Sequence, residues 1–230
     1  MAELMRAGSD QPAAPAHEAT LGRRAYLFAE YGVLFFGLIA SFDVLADGVS
    51  PIPFLVALGV GCLVYLLRQR GFDRTNLLRP AAVRRELRSI LALWAAATVV
   101  ALAGVAMLLP GELFGFPRSE PVTWAIVAVA YPLLSAYPQE LIFRGFLFHR
   151  YRPAFGSGAG ILLASAAAFG FAHIIFGNWF AVLATTIGGL LFAYRYQRSR
   201  SLLATSIEHG LYGLMIFTVG LGQFVYHGAG

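Results

Sequence analysis

The chain has 230 residues, with 17 basic and 12 acidic side chains and a formal net charge of +5 with histidine neutral. Hydrophobic residues make up 58% and charged ones only 13%, at a mean hydropathy of +0.68, which excludes an ordinary soluble domain. A single cysteine, Cys62, excludes an intrachain disulfide and sits in an apolar run as a small packing residue.

From Met1 to about Thr20 the chain is Ala/Pro-rich and polar and has no signal-peptide core, so residues 1–20 read as a disordered cytoplasmic tail. Residues 21–230 read as one transmembrane helix bundle, because the apolar residues come in blocks of about 18 or more. Ala25–Ala46 is the first predicted span, entered through Arg23 and Arg24, with Glu30 and Asp43 near its ends, in reach of headgroups. A short turn leads to the second, Ile52–Leu67. Arg68–Arg88 holds seven arginines and a sparse apolar pattern (Leu77, Leu78, Val83, Leu87), which predicts a surface helix against acidic headgroups. It does not argue for nucleic acid, because basic loops are the rule on one membrane face.

The third span is Ile90–Leu109, and the fourth begins at Val122 and carries Pro132 and Pro138 as kink sites. Three more follow, at about Gly158–Phe176, Trp179–Tyr196 and Ser201–Tyr226, for an all-α polytopic bundle of about seven spans. With the N-terminus cytoplasmic, nearly all arginines fall inside and only Arg118 falls in an outer loop, as the positive-inside rule expects. Gly156-x-Gly158-x-Gly160, the alanines after it and the Gly188–Gly189 pair read as small surfaces for close helix packing, since no strand precedes them to make a phosphate loop. His149 belongs to the cytoplasmic interface, and Trp179 and Tyr196 are interfacial anchors.

Within the fourth span, Tyr137–Arg150 places Glu140 and Arg144 in bilayer-compatible sequence. At i and i+4 on a helix the carboxylate and guanidinium share a face and pair. Such a pair either locks helices together or marks a working site. His173 and His209 recur inside later apolar segments. At 1.5 Å per residue, Glu140, His173 and His209 lie roughly 15, 22 and 12 Å from the inner face, so tilted or kinked helices bring them together. A carboxylate or imidazole there takes a proton from water, and a second imidazole donates to the oxyanion formed at a carbonyl, which is hydrolytic chemistry. Gln139 orients a water but accepts no proton. Glu208, adjacent to His209, points about 100° away from it on a helix. One Glu and two His permit zinc, but no His-x-x-x-His pair indicates it, so no cofactor is firmly implied.

Over roughly Val122–Phe224 the chain resembles the CPBP membrane peptidases, which include the type II CAAX prenyl proteases and bacterial Abi-type proteins. Gln139-Glu140-Leu141-Ile142-Phe143-Arg144 corresponds to the family's Glu-Glu-x-x-x-Arg motif and is followed by Gly145. Phe169-Gly170-Phe171-Ala172-His173 meets Phe-x-x-x-His in full, and His209-Gly210-Leu211-Tyr212-Gly213 corresponds to His-x-x-x-Asn/Asp. The resemblance implies Glu140, His173 and His209 as catalytic residues, His173 assisting water and His209 stabilising the oxyanion. Gln139, Arg144, Phe169 and Gly213 stand as supporting positions. It further implies an endopeptidase acting on a peptide or prenylated protein in a bilayer, near the inner face of a bacterial cytoplasmic membrane. The chain departs from the family pattern at Gln139, where the family's first Glu stands, and at Gly213, which has no side-chain donor. Glu140 is then either the base itself or the structural partner of Arg144 in an inert relative that binds a partner. A proton-coupled carrier using Glu140 and the histidines as a relay is the third expectation. Substrate identity and oligomeric state stay open.

Overall fold

The computed structural model describes residues 20–46 and 48–225. The expected tail, apart from Thr20, lies outside the described residues, as does His227. Among the described residues seven long helices follow in chain order: α1 Leu21–Leu45, α2 Ile52–Arg68, α3 Pro80–Leu108, α4 Pro121–Phe155, α5 Ala159–Phe171, α6 Trp179–Ser199 and α7 Leu202–Val219. Each predicted span thus falls on one helix, and no strand occurs among the described residues.

Local chemistry explains the boundaries. Proline occupies the first turn of α2, α3 and α4, where a missing N–H costs nothing. Thr20, Asn178 and Ser201 cap α1, α6 and α7 by accepting from the backbone N–H groups of Arg23, Ala181 and Ala204. Asn178 also donates to the carbonyls of Phe176 (2.9 Å) and Phe224 (2.8 Å), tying the α5–α6 turn to the segment after α7. That last helix is shorter than the predicted Ser201–Tyr226, because Gly220 turns left-handed at φ 111° and ends it.

Among the described residues, five helical segments are long and apolar enough to cross a membrane: Leu21–Leu45, Arg74–Leu108, Pro121–Phe155, Ala159–Phe176 and Leu202–Val219. Ile52–Arg68 is apolar but shorter, and the last turns of α6 carry Arg195, Gln197 and Arg198. Of the apolar window of α7, 61% is buried, against 11% for α3, so α7 is the central helix and α3 a peripheral one. Large side chains such as Leu45, Val100, Met107, Val122 and Ile187 stand exposed around the outside. Apolar surface on this scale has a solvent only in lipid. The protein is an integral membrane protein with an all-α polytopic fold.

The basic segment departs from expectation. No separate surface helix forms over Arg68–Arg88: a 3-10 turn spans Arg74–Leu77, and α3 then runs unbroken from Pro80 through the third span. Nothing between Arg88 and Ile90 breaks a helix, so the amphipathic start and the apolar run fuse. The 29 residues of α3 reach ~43 Å, longer than the ~30 Å hydrocarbon core. Its arginine-rich first turns therefore stand at headgroup level.

Glu86 in these turns is fully buried. Arg195 of α6 donates to it at 2.6 Å and reaches Glu208 of α7 through Nε (2.8 Å) and Nη2 (2.9 Å). Glu30 likewise does not reach for headgroups: it takes two bonds from Arg150 (2.9 and 2.7 Å) and one from Tyr151 (2.9 Å), joining α1 to the end of α4.

Candidate active site

Two stretches of α4, Pro132–Ala136 and Leu141–Phe146, are wound as π-helix. Pro132 begins the first and Pro138 precedes the second. A prolyl ring removes one i→i−4 bond and crowds the carbonyl before it, so widening the winding accommodates it. The four-residue α-helical turn between them, Tyr137–Glu140, delivers Glu140 to the bundle interior.

Glu140 and Arg144 are both fully buried, with Arg144 Nη1 3.0 Å from Glu140 Oε1. Arg144 Nη2 donates to the Gly189 carbonyl at 3.0 Å, and its Cζ lies 4.5 Å from the Phe169 ring centroid and 5.4 Å from that of Phe192. Such aromatic faces suit a desolvated guanidinium. A Cβ at Gly189 would lie 3.2 Å from the Ala166 backbone and 3.1 Å from the Phe169 ring. At Gly170 a Cβ would overlap Thr186. Small residues thus let α5 and α6 pack closely enough for Arg144 to reach a backbone carbonyl of α6.

From α7, His209 Nδ1 comes 2.8 Å from the same Glu140 Oε1. The carboxylate accepts, so Nδ1 carries the hydrogen. Phe192 stacks on the His209 ring at 4.7 Å and Phe169 meets it edge-on at 5.4 Å. Nε2 is met at 3.1 Å by the hydroxyl of Tyr131, a residue of α4 the sequence reading did not single out. The signal for it lay at Gly213, where a Cβ would overlap the ring and hydroxyl of Tyr131.

His173 joins less directly. Its Nδ1 is 2.7 Å from the Phe169 carbonyl, which only accepts, so Nδ1 donates and Nε2 is left with its lone pair. Its ring packs against Phe169 at 4.8 Å. Glu140, Arg144 and His209 are therefore in direct contact, and His173 meets them across the shared Phe169 ring. Gln139 turns its amide nitrogen to Ser135 Oγ at 2.7 Å. Its Oε1, like Glu140 Oε2, Arg144 Nε and Ser206 Oγ, is buried with no hydrogen-bond partner among the described residues. Glu208 points away from His209 to Arg195, as its position on the helix requires.

This donor set does not fit zinc. Among the described residues no three His, Cys, Asp or Glu side chains converge as ligands. An arginine and a histidine N–H also both occupy the carboxylate oxygen nearest His209.

Residues 121–215 match the family described as Rce1-like, type II CAAX prenyl endopeptidase Rce1-like. All three motif positions fall inside that stretch, in the family's order. Over those 95 of its 230 residues the chain is similar to that family. No curated protein and no solved structure matches it.

Proposed function

We propose that this protein is a CPBP-type membrane-embedded endopeptidase that hydrolyses a peptide bond of a prenylated or membrane-bound peptide near the cytoplasmic face. The observation that carries the reading is the fully buried Glu140 carboxylate. One of its oxygens is shared by Arg144 and His209, and the other has no protein partner. A purely structural ion pair would satisfy both oxygens, because an orphaned buried acceptor is costly.

In the proposed reaction a water donates one hydrogen bond to Glu140 Oε2, which orients it, and loses its other proton to His173 Nε2. Its oxygen bonds to the carbonyl carbon while the carbonyl π electrons move onto oxygen. The His209 side of the site holds that oxyanion. Collapse restores the carbonyl, the carbon–nitrogen bond breaks, and His173 returns the proton to the departing nitrogen. Gln139 supplies a further acceptor beside the water, and Arg144 balances the charge of Glu140.

The test is cleavage of a farnesylated Cys-a-a-X peptide by the purified protein in lipid nanodiscs. Glu140→Gln and His173→Ala are each expected to lower kcat by about 10²-fold or more. Equal turnover by all three proteins would sink the mechanism. Binding of the peptide without cleavage by the wild type would favour the inert relative, for which Gln139 in place of a carboxylate is the supporting observation.

A further inference from the structure

Gly213 and Tyr131 are complementary. No side chain fits at 213, because the phenol of Tyr131 already fills that space. The Tyr131 hydroxyl sits 3.1 Å from His209 Nε2, and its ring packs edge-on to His209 (6.0 Å) and Phe217 (5.4 Å). Arg144, Glu140, His209 and Tyr131 thus form one hydrogen-bonded chain running from α4 to α7 and back, and the phenol is its last member. His209 has no ring nitrogen left for a substrate, since Nδ1 is committed to Glu140 and Nε2 to Tyr131. At the His209 end of this chain, the hydroxyl hydrogen is the one that can turn from its partner to a substrate.

We propose that Tyr131 is a catalytic residue: its hydroxyl, placed where residue 213 lacks a side chain, is the donor that meets the reacting carbonyl oxygen, and His209 is the residue that aims it. This rests on the peptidase reading above. At rest the hydroxyl hydrogen is donated to His209 Nε2. As negative charge collects on the carbonyl oxygen, it swings about the Cζ–O bond to that oxygen. No covalent bond to hydrogen is broken in this motion. The hydrogen bond to the imidazole is exchanged for one to an oxygen that is gathering charge, and because the charge-assisted bond is the stronger, the exchange favours the transition state.

The experiment measures kcat and KM on the farnesylated peptide for the wild type, His209→Ala, Tyr131→Phe, Tyr131→Ala and the double variant Tyr131→Ala/Gly213→Asn, with thermal midpoints for each. Tyr131→Phe keeps the ring and is expected to lower kcat by about 10²–10³-fold with KM within about twofold, the size of one oxyanion donor. In the double variant an asparagine amide enters the vacated space, and kcat is expected to rise at least about tenfold over Tyr131→Ala. If Tyr131→Phe turns over within about threefold of the wild type while His209→Ala is inactive, the assignment falls and the peptidase reading stands. Should Tyr131→Phe not fold, the pair Tyr131→Ala and the double variant decides, equal rates overturning the proposal. A wild type that cleaves nothing overturns both.

Discussion

Glu140 and Arg144 pose the question of lock or catalyst at two side chains, and a thermodynamic cycle separates the answers. Arg144→Met leaves a fully buried carboxylate with only His209 beside it, and is expected to cost about 3–5 kcal/mol of stability. Glu140→Gln/Arg144→Met removes both charges and is expected to recover most of that loss, because it leaves no uncompensated ion in the bundle. Unfolding in detergent micelles checks both values. Peptidase activity should stay absent in the double variant despite the recovered stability, whereas a pure lock predicts full activity once the fold is restored. The pair was legible in the sequence because i,i+4 spacing is a property of any helix, and a charged pair stands out in an apolar run. The bond from His209 was legible only as a similarity of depth, since helix tilt and rotation are set by packing. Tyr131 was not legible at all: a tyrosine at the start of a kinked stretch resembles any other amphipathic aromatic until the space beside Gly213 is known.

At the scale of helices, apolar run length fixed which segments would be helical, and the positions of proline and glycine fixed most of their ends. What run length does not encode is where a charge at the edge of a run will turn. Arg195, Glu86 and Glu208, which no motif or spacing links, are buried together where α3, α6 and α7 meet. The geometry includes a two-point contact between Arg195 and Glu208, which a lysine would not reproduce. Arg195→Met is therefore expected to cost about 3–5 kcal/mol, because it strands the buried Glu208 and takes from Glu86 the nearest of its three arginine partners. Arg198, half-exposed and 3.3 Å from Glu86 at the rim of the same cluster, is expected to cost at most about 1 kcal/mol when changed to Met. Thermal midpoints of the two variants in one detergent make the comparison, and equal losses would show that the cluster is not a load-sharing contact between these helices. The cluster matters to the site because α7 carries Glu208 and His209 on successive positions, so the contact that holds Glu208 also sets the rotation of His209.

For the molecule as a whole, the remaining variable is which way the bundle faces. The 35 residues of α4 span ~52 Å at ideal helical rise, well beyond a ~30 Å hydrocarbon core. The loops at its two ends must then emerge on opposite sides. Arginines gather at one of those sides: Arg150 and Arg152 end α4, and Arg195 and Arg198 end α6, while Arg118 lies before α4 begins. By the charge rule the gathered end is expected in the cytoplasm, and with it the face nearer Glu140 and His209. Ser119 and Ser157 are exposed positions on either side of α4, and Cys62 is the one native thiol. In a Cys62→Ala background, Ser119→Cys is expected to react with a membrane-impermeant maleimide on intact cells. Ser157→Cys is expected to react only after the membrane is permeabilised. The opposite pattern would turn the site toward the outer face and remove cytosolic prenylated peptides as substrates, while labelling of both in intact cells would mean that α4 does not cross the bilayer.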